Sequence, residues 1–166
     1  MQLDHYSSKF KTRSFPITII TENVTNAPNI GSLFRTADAF GIEKLVLCGS
    51  HIPLGRNMMK TSRATERSVP FEVSDNALQV ISDFKSKGYQ IISLEITSES
   101  KSLSDFKFDA KSPIALVVGD ENFGVSETIL DLSDHVLHVE MYGQNSSMNV
   151  VQATSVTLYE ITKQLN

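Results

Sequence analysis

The stretch ITIITENVTNAPNIGSLFRTADAFGIEKLVLC, residues 17–48, decides the fold. Ile17 to Thr21 is a β-branched run and reads as a strand. A turn through Asn26, Ala27 and Pro28 follows, after which Ile30, Leu33, Phe34 and Ala37 recur at helical spacing until Gly41 stops the helix. A second strand comes at Lys44 to Cys48. Strand, helix, strand is the unit of a parallel sheet, because two parallel strands need a crossover between them.

The alternation continues outward. A loop through Pro53 and Gly55 leads into a basic stretch that reads as helical, carrying Arg56, Lys60, Arg63 and Arg67. Asp75 is placed to cap a helix whose buried face is Ala77, Val80, Ile81 and Phe84, ending at Gly88 before a strand from Tyr89 to Ile96. After a polar loop rich in Ser and Lys come a strand at Ile114 to Val118, a glycine-containing turn, a short helix at Glu127 to Leu132, and a strand at His135 to Met141. A final helix carries Met148, Val151, Leu158, Ile161 and Leu165 on one stripe. The expected architecture is α/β, a mostly parallel sheet covered by helices on both faces. No repeat, low-complexity tract or long Pro/Gly/Ser stretch divides the chain, so residues 1–166 are expected to form one domain.

Composition narrows the classes. The chain is 40% hydrophobic and 20% charged, ordinary for a globular protein, and no apolar segment is long enough to span a bilayer. Met1 through Thr12 lacks the apolar core of a secretory signal, and Cys48 is the single cysteine, so an intrachain disulfide and a thiolate zinc site within one chain are excluded. A cytoplasmic protein is expected, with Cys48, at the end of an apolar run, as a buried and inert thiol. The net charge of −4 does not mark a nucleic-acid binder, although the local cluster Arg56, Lys60, Arg63, Arg67 suits phosphate as well as it suits a solvated helical face.

In an open α/β sheet, ligands bind at the carboxyl ends of the strands, which singles out three segments. In Asn29-Ile30-Gly31-Ser32-Leu33-Phe34-Arg35, Arg35 projects away from the buried stripe and Asn29 is placed to cap free backbone N–H groups. In Gly119-Asp120-Glu121-Asn122-Phe123-Gly124, two glycines surround an acidic turn after an apolar strand, where they permit close backbone approach to a ligand. This is neither a dinucleotide fingerprint nor a P-loop. In the polar loop Val139 to Asn149, Ser147 is a candidate cap for the last helix, and Asn149 is placed to hold a carbonyl or a substrate hydroxyl. His5, His51, His135 and His138 lack metal-ligand spacing, and no Gly-x-Ser-x-Gly elbow is present.

Together and in this order, the three segments resemble the SpoU (TrmH) family of RNA ribose methyltransferases, within the SPOUT class. The resemblance runs through Asn29-x-Gly31-x-x-x-Arg35-Thr36-Ala37, then Gly119-x-Glu121-x-x-Gly124, then Met141 through Ala153 with Ser147-Met148-Asn149-Val150 at its centre. It implies a C-terminal deep trefoil knot, an exception to the rule against knotted chains. It further implies transfer of a methyl group from S-adenosylmethionine to a ribose 2′-hydroxyl of RNA, tRNA before rRNA, by a homodimer without metal or membrane.

By the same resemblance the knot loops hold S-adenosylmethionine, with Leu94, Gly119, Val139, Met141, Ser147 and Met148 around it. Arg35 is the catalytic position, with Asn29, Glu121, Ser147 and Asn149 shaping the site. A guanidinium stays protonated in proteins, so clamping of phosphate and stabilisation of charge are the minimum role of Arg35. Arg13, Arg35, Arg56, Lys60 and Arg63 are the candidate RNA contacts, with no appended RNA-binding domain expected. The third motif departs from the family in carrying Glu140 where a Pro is usual and Val151 where a second Ser is usual. The competing readings are a knotted RNA- or cofactor-binding module without transferase activity and an unrelated α/β nucleotide-binding enzyme.

Overall fold

The computed structural model describes residues 7, 8 and 10–166, so His5 lies outside the described residues. Its first strand, β1 (Phe15–Glu22), leads into helix α1 (Ala27–Ala39) and then β2 (Ile42–Cys48). Asn26 opens α1 by accepting the Asn29 backbone N–H at 3.0 Å, and Gly41, at φ 63°, takes the left-handed turn after it. The expected cap at Asn29 is therefore corrected to Asn26. Three residues earlier is the position from which a side chain reaches the N3 amide, and the Asn29 side chain is left for other work.

Helix α2 (Arg56–Ser62) carries the basic segment, and β3 (Phe71–Ser74) follows. The sequence reading gave β3 no assignment. It is a four-residue edge strand with exposed or half-buried side chains, so the alternation of Phe71-Glu72-Val73-Ser74 is too short, and too little buried, to mark it as a strand. Helix α3 (Ala77–Ser86) starts at Asn76, whose side chain accepts from the Gln79 amide at 3.0 Å, not at Asp75 as expected. Strand β4 (Gln90–Leu94), the two-residue β5 (Lys101–Ser102), β6 (Ile114–Gly119), α4 (Glu127–Leu132), β7 (His135–His138) and α5 (Val150–Leu165) complete the chain. Strand β7 ends three residues before the expected Met141, and Met148 precedes α5 instead of joining its stripe.

All strand pairs are parallel, in the order β3-β2-β1-β6-β4-β7-β5. Strand β6 lies between β1 and β4, pairing Ile19 with Leu116 on one side and Ile92 with Leu116 on the other. The alternation of side chains along β1 divides the core. Ile17 and Ile19 face Ile30, Leu33 and Phe34 of α1 and Leu158 and Ile161 of α5, while Ile20 faces Ile81 of α3 and Ile129 of α4. Each such fully buried Ile, Leu or Phe contributes about 1.5–3 kcal/mol relative to exposure. Gly31 lets α1 and α2 meet, since a Cβ there would stand 2.1 Å from both the Met58 carbonyl oxygen and Thr61 Oγ1. Thr61 Oγ1 also donates to the Pro28 carbonyl at 2.9 Å, so the basic helix ends beside the turn that carries Asn29.

Candidate active site

The carboxyl ends of β4, β6 and β7 and the segment before α5 enclose a cavity of about 410 Å³. All six positions expected around the cofactor line it: Leu94, Gly119, Val139, Met141, Ser147 and Met148. A second cavity of about 350 Å³, lined by Val24, Asn26, Asn29 and Glu121 among others, lies between the start of α1 and the loop after β6. Glu121 belongs to the wall of both.

Two other predicted catalytic residues converge on Glu121. Its Oε1 accepts from Asn29 Nδ2 at 2.9 Å and from Asn149 Nδ2 at 2.7 Å. Asn149 Nδ2 further lies 3.3 Å from Asn29 Oδ1. Asn149 Oδ1 accepts the backbone N–H groups of Val151 at 2.9 Å and Gln152 at 3.4 Å, so Asn149 is the cap of α5. That role was expected of Ser147, which sits two residues too early to reach those amides. Because the Asn149 oxygen is committed to the helix, its amide nitrogen must face the carboxylate, and this fixes the orientation of the Asn29 amide in turn. The other carboxylate oxygen, Glu121 Oε2, has no hydrogen-bond partner among the described residues.

The loop that carries Glu121 is held by two carboxylates that the sequence reading missed. Glu95 Oε2, just past the end of β4, accepts the Val125 N–H at 2.9 Å, and Glu22 Oε2, at the end of β1, accepts the Ser126 N–H at 2.8 Å. Ser126 precedes α4 and makes no side-chain cap, so these carboxylates take its place at a helix terminus that favours negative charge. The available signal was an acid at the point where each apolar strand run stops, Thr21-Glu22 and Leu94-Glu95. Asp120 Oδ1 tightens the same loop by accepting from the Asn122 and Phe123 amides at 2.8 and 3.0 Å.

The two loop glycines answer to this closure. A Cβ on Gly119 would lie 2.2 Å from the Gly124 carbonyl carbon, and one on Gly124, at φ +67°, would lie 2.1 Å from Glu95 Oε2. The close approach that the sequence reading assigned to a ligand is thus first an approach of the loop to itself and to Glu95.

Arg35 stands apart. It is exposed on α1, lines neither cavity, and has no hydrogen-bond or ion-pair partner among the described residues. Thr36 beside it lies 3.3 Å from Ser155 of α5, hydroxyl to hydroxyl, tying the two helices together. Of the candidate RNA contacts, Arg56, Lys60 and Arg63 are exposed and unpaired among the described residues, and Arg63 takes a left-handed conformation (φ 52°) just past α2. Arg13 lies before β1, at the end of the sheet opposite the carboxyl ends of the strands. Its guanidinium donates to the Leu165 carbonyl at 3.0 Å and to Asn166 Oδ1, and rests 4.6 Å from the centre of the Phe15 ring.

Hydrogen bonds from Tyr142 and Ser102 hold the Glu140 carboxyl below its ordinary pKa, and Glu140 raises the Tyr142 phenol above its own. His138 lines the larger cavity and its Nδ1 lies 2.9 Å from Ser100 Oγ. Among the described residues no group of three or more His, Cys, Asp or Glu side chains is arranged to hold a metal ion, and no helix is long and apolar enough to cross a membrane.

Known proteins resemble this chain in sequence and fold. The tRNA (guanosine(18)-2′-O)-methyltransferase of Aquifex aeolicus is 31% identical over 152 residues, covering 92% of this chain and 71% of that protein. The crystal structure of the A. aeolicus TrmH/SpoU tRNA modifying enzyme aligns with a TM-score of 0.82 at 31% identity, over 92% of this chain and 77% of that one. The SpoU methyltransferase AviRb from Streptomyces viridochromogenes, in complex with the cofactor AdoMet, shares the fold with a TM-score of 0.78 at 24% identity, over 93% and 59% of the two chains. Other curated relatives are longer still, the chain spanning 59% of one and 42% of another. With residues 16–159 matching its family pattern and a relative at 31% identity over 92% of the chain, the chain belongs to the SpoU rRNA Methylase family.

Proposed function

We propose that the protein transfers a methyl group from S-adenosylmethionine to a ribose 2′-hydroxyl of RNA, tRNA before rRNA, and does so as a cytoplasmic homodimer. The observation that carries this reading is the convergence of Asn29 and Asn149 on Glu121, in the wall between the two cavities. The larger cavity, at about 410 Å³, falls in the size range of cofactor sites. Leu94, Val139, Met141 and Met148 offer apolar walls to an adenine, and the strand-end backbone at Gly119 offers hydrogen bonds to its edge. When bound, S-adenosylmethionine supplies an electrophilic methyl group on a sulfonium.

The chain's own residues then have to present the ribose and keep competing water out. Asn29, Asn149 and Glu121 orient the nucleotide in the smaller cavity, and Ser147 completes the wall on the cofactor side. Glu121 Oε2, left without a partner, is the acceptor that this wall offers to a substrate hydroxyl. Arg35 keeps its proton, clamps the RNA phosphate and offsets charge that develops on the attacking oxygen. Because Arg35 is exposed on α1 and lines neither cavity of its own chain, it serves the site of a second copy, with α1 and α5 at the interface. The C-terminal trefoil knot belongs to the same proposal, and the insertion of β6 between β1 and β4 supports it. Arg56, Lys60 and Arg63, beside the Asn29 turn, hold more distant phosphates, with Arg13, at the amino-terminal end of β1, the outlying member of that set.

The test is methyl transfer from labelled S-adenosylmethionine to total small and ribosomal RNA from cells lacking the protein, beside Arg35→Ala, followed by nucleoside analysis. A 2′-O-methylated nucleoside made only by the intact protein is the expected result. No transfer by a folded protein that binds the cofactor would instead support a binding module.

A further inference from the structure

Two exposed aromatic rings, one in the wall of the larger cavity and one next in sequence to that wall, take no part in the chemistry above. Phe123, in the loop after β6, lines the cavity and is 91% exposed, and Tyr142, which follows the lining residue Met141, is 92% exposed. Neither ring sits on a loose end. The Phe123 amide is bound to Asp120, and its loop is gripped by Glu22 and Glu95, while the Tyr142 hydroxyl donates to Glu140 Oε2 at 2.7 Å. An aromatic side chain carries 150–250 Å² of surface that is favourable to cover, and both rings present nearly all of it to water at the entrance of a site.

The charge around the rings narrows what covers them. Glu95, Asp120 and Glu121 line the cavity, and Glu140 is bonded to Tyr142. Among the described residues no Lys or Arg lines either cavity. Such a rim repels a phosphate and tolerates the uncharged face of a nucleobase, which stacks on an aromatic ring whatever its identity.

We infer that Phe123 and Tyr142 are stacking platforms for the unpaired nucleobases next to the modified nucleotide. The inference rests on the proposed function and deepens it. Affinity then divides between two chemistries: phosphate contacts on α2, screened by salt, and base stacking at the cavity rim, which is not.

The experiment measures binding of an unstructured RNA nonamer carrying 2-aminopurine, whose fluorescence is quenched on stacking, against a fully paired duplex of the same sequence. Phe123→Ala, Tyr142→Ala and Tyr142→Phe are compared with the intact protein, with S-adenosylmethionine affinity and oligomeric state measured alongside. Each alanine variant is expected to lose about tenfold in nonamer affinity with the salt slope unchanged, and Tyr142→Phe to retain binding. Unchanged affinity in both alanine variants, or equal affinity of the intact protein for duplex and nonamer, overturns the inference. A change in oligomeric state in place of RNA affinity overturns it in favour of an interface between copies. An intact protein that binds the cofactor but neither the nonamer nor bulk tRNA instead removes the RNA reading itself.

Discussion

Asn149 donates its side-chain amide to Glu121 over 2.7 Å while its side-chain oxygen caps the first turn of α5, so one residue both starts a helix and holds a carboxylate at the cavity wall. The two duties are separable by substitution. Asp is as good a helix cap as Asn, but Asn149→Asp sets a second carboxylate against Glu121. The expected outcome is a melting temperature close to that of the intact protein with methyl transfer reduced about a hundredfold, since a small misplacement of orienting groups is enough for that. Asn149→Ala should lose the activity and also about 1 kcal/mol of stability from the missing cap, readable by urea unfolding. Retained transfer in Asn149→Asp would remove the Asn149–Glu121 contact from the mechanism.

Arg35 and the Asn149–Glu121 pair lie in one chain but, in the proposed dimer, serve different sites. Arg35→Ala should lower transfer by about 10²–10³-fold with cofactor binding intact, and Arg35→Lys should not restore it, because an ammonium lacks the planar fork that grips a phosphate. Mixed with Asn149→Asp under conditions that exchange subunits, the two inactive proteins should regain activity. A heterodimer then concentrates both lesions in one site and leaves the other intact. Failure to complement, with exchange verified, would put Arg35 in its own chain's site.

Gly31 marks the crossing of α1 and α2. In Gly31→Ala, the new methyl must displace the Met58 carbonyl or Thr61, both 2.1 Å from its position, and overpacking of this kind costs about 1–3 kcal/mol. Urea unfolding should show that loss. The Thr61 hydroxyl bonds to Pro28, next to Asn29, so RNA affinity should fall as well as stability.

Salt offers a reading of the basic helix. If Arg56, Lys60 and Arg63 each neutralise a phosphate, replacing any one by Ala should flatten the dependence of log affinity on log salt by about one contact, uniformly across RNA sequences. A sequence-dependent loss with an unchanged slope would assign these residues to bases instead.

The Cys48 thiol is pushed up to about 11 by burial first and by the Glu22 carboxylate second. A raised acid pKa favours the neutral thiol in the folded state. The associated stability is therefore full below the ordinary thiol range and is lost as the pH climbs from about 9 toward 11. At pH 8 the folded protein should resist iodoacetamide for hours, whereas unfolded chain should react at once. Rapid labelling of folded protein would mean that the C-terminal end of β2 opens.

The sequence spoke most clearly where burial has a period. Ile30, Leu33, Phe34 and Ala37 announced α1, and the runs at Ile17 and Ile114 announced the two central strands, because residues buried on both faces are mostly apolar or β-branched, the buried Thr18 and Thr21 of β1 included. Strand β3 stayed silent because an edge strand with exposed faces imposes no such demand. The caps were misplaced by one to three residues, at Asn26, Asn76 and Asn149, since several polar residues cluster at each helix start and only φ, ψ geometry selects among them. In the site, Asn29, Glu121 and Asn149 of the motif resemblance meet, while Arg35 stands apart from them. Glu22 and Glu95 went unread because their partners are backbone amides more than twenty residues away, which leave no side-chain pattern in the sequence.

The place of β6 between β1 and β4 sets a timetable for the ribosome. Ile17 must wait for Ile114 before its open edge is paired, which at ordinary synthesis rates is about 5–20 s after it emerges. During that interval β1, β2 and α1 can assemble locally, but the sheet exposes one unpaired apolar border to every neighbouring nascent chain. A protein built this way folds late, through contacts distant in sequence, and its yield in the cell should depend on chaperone supply more than its modest length suggests.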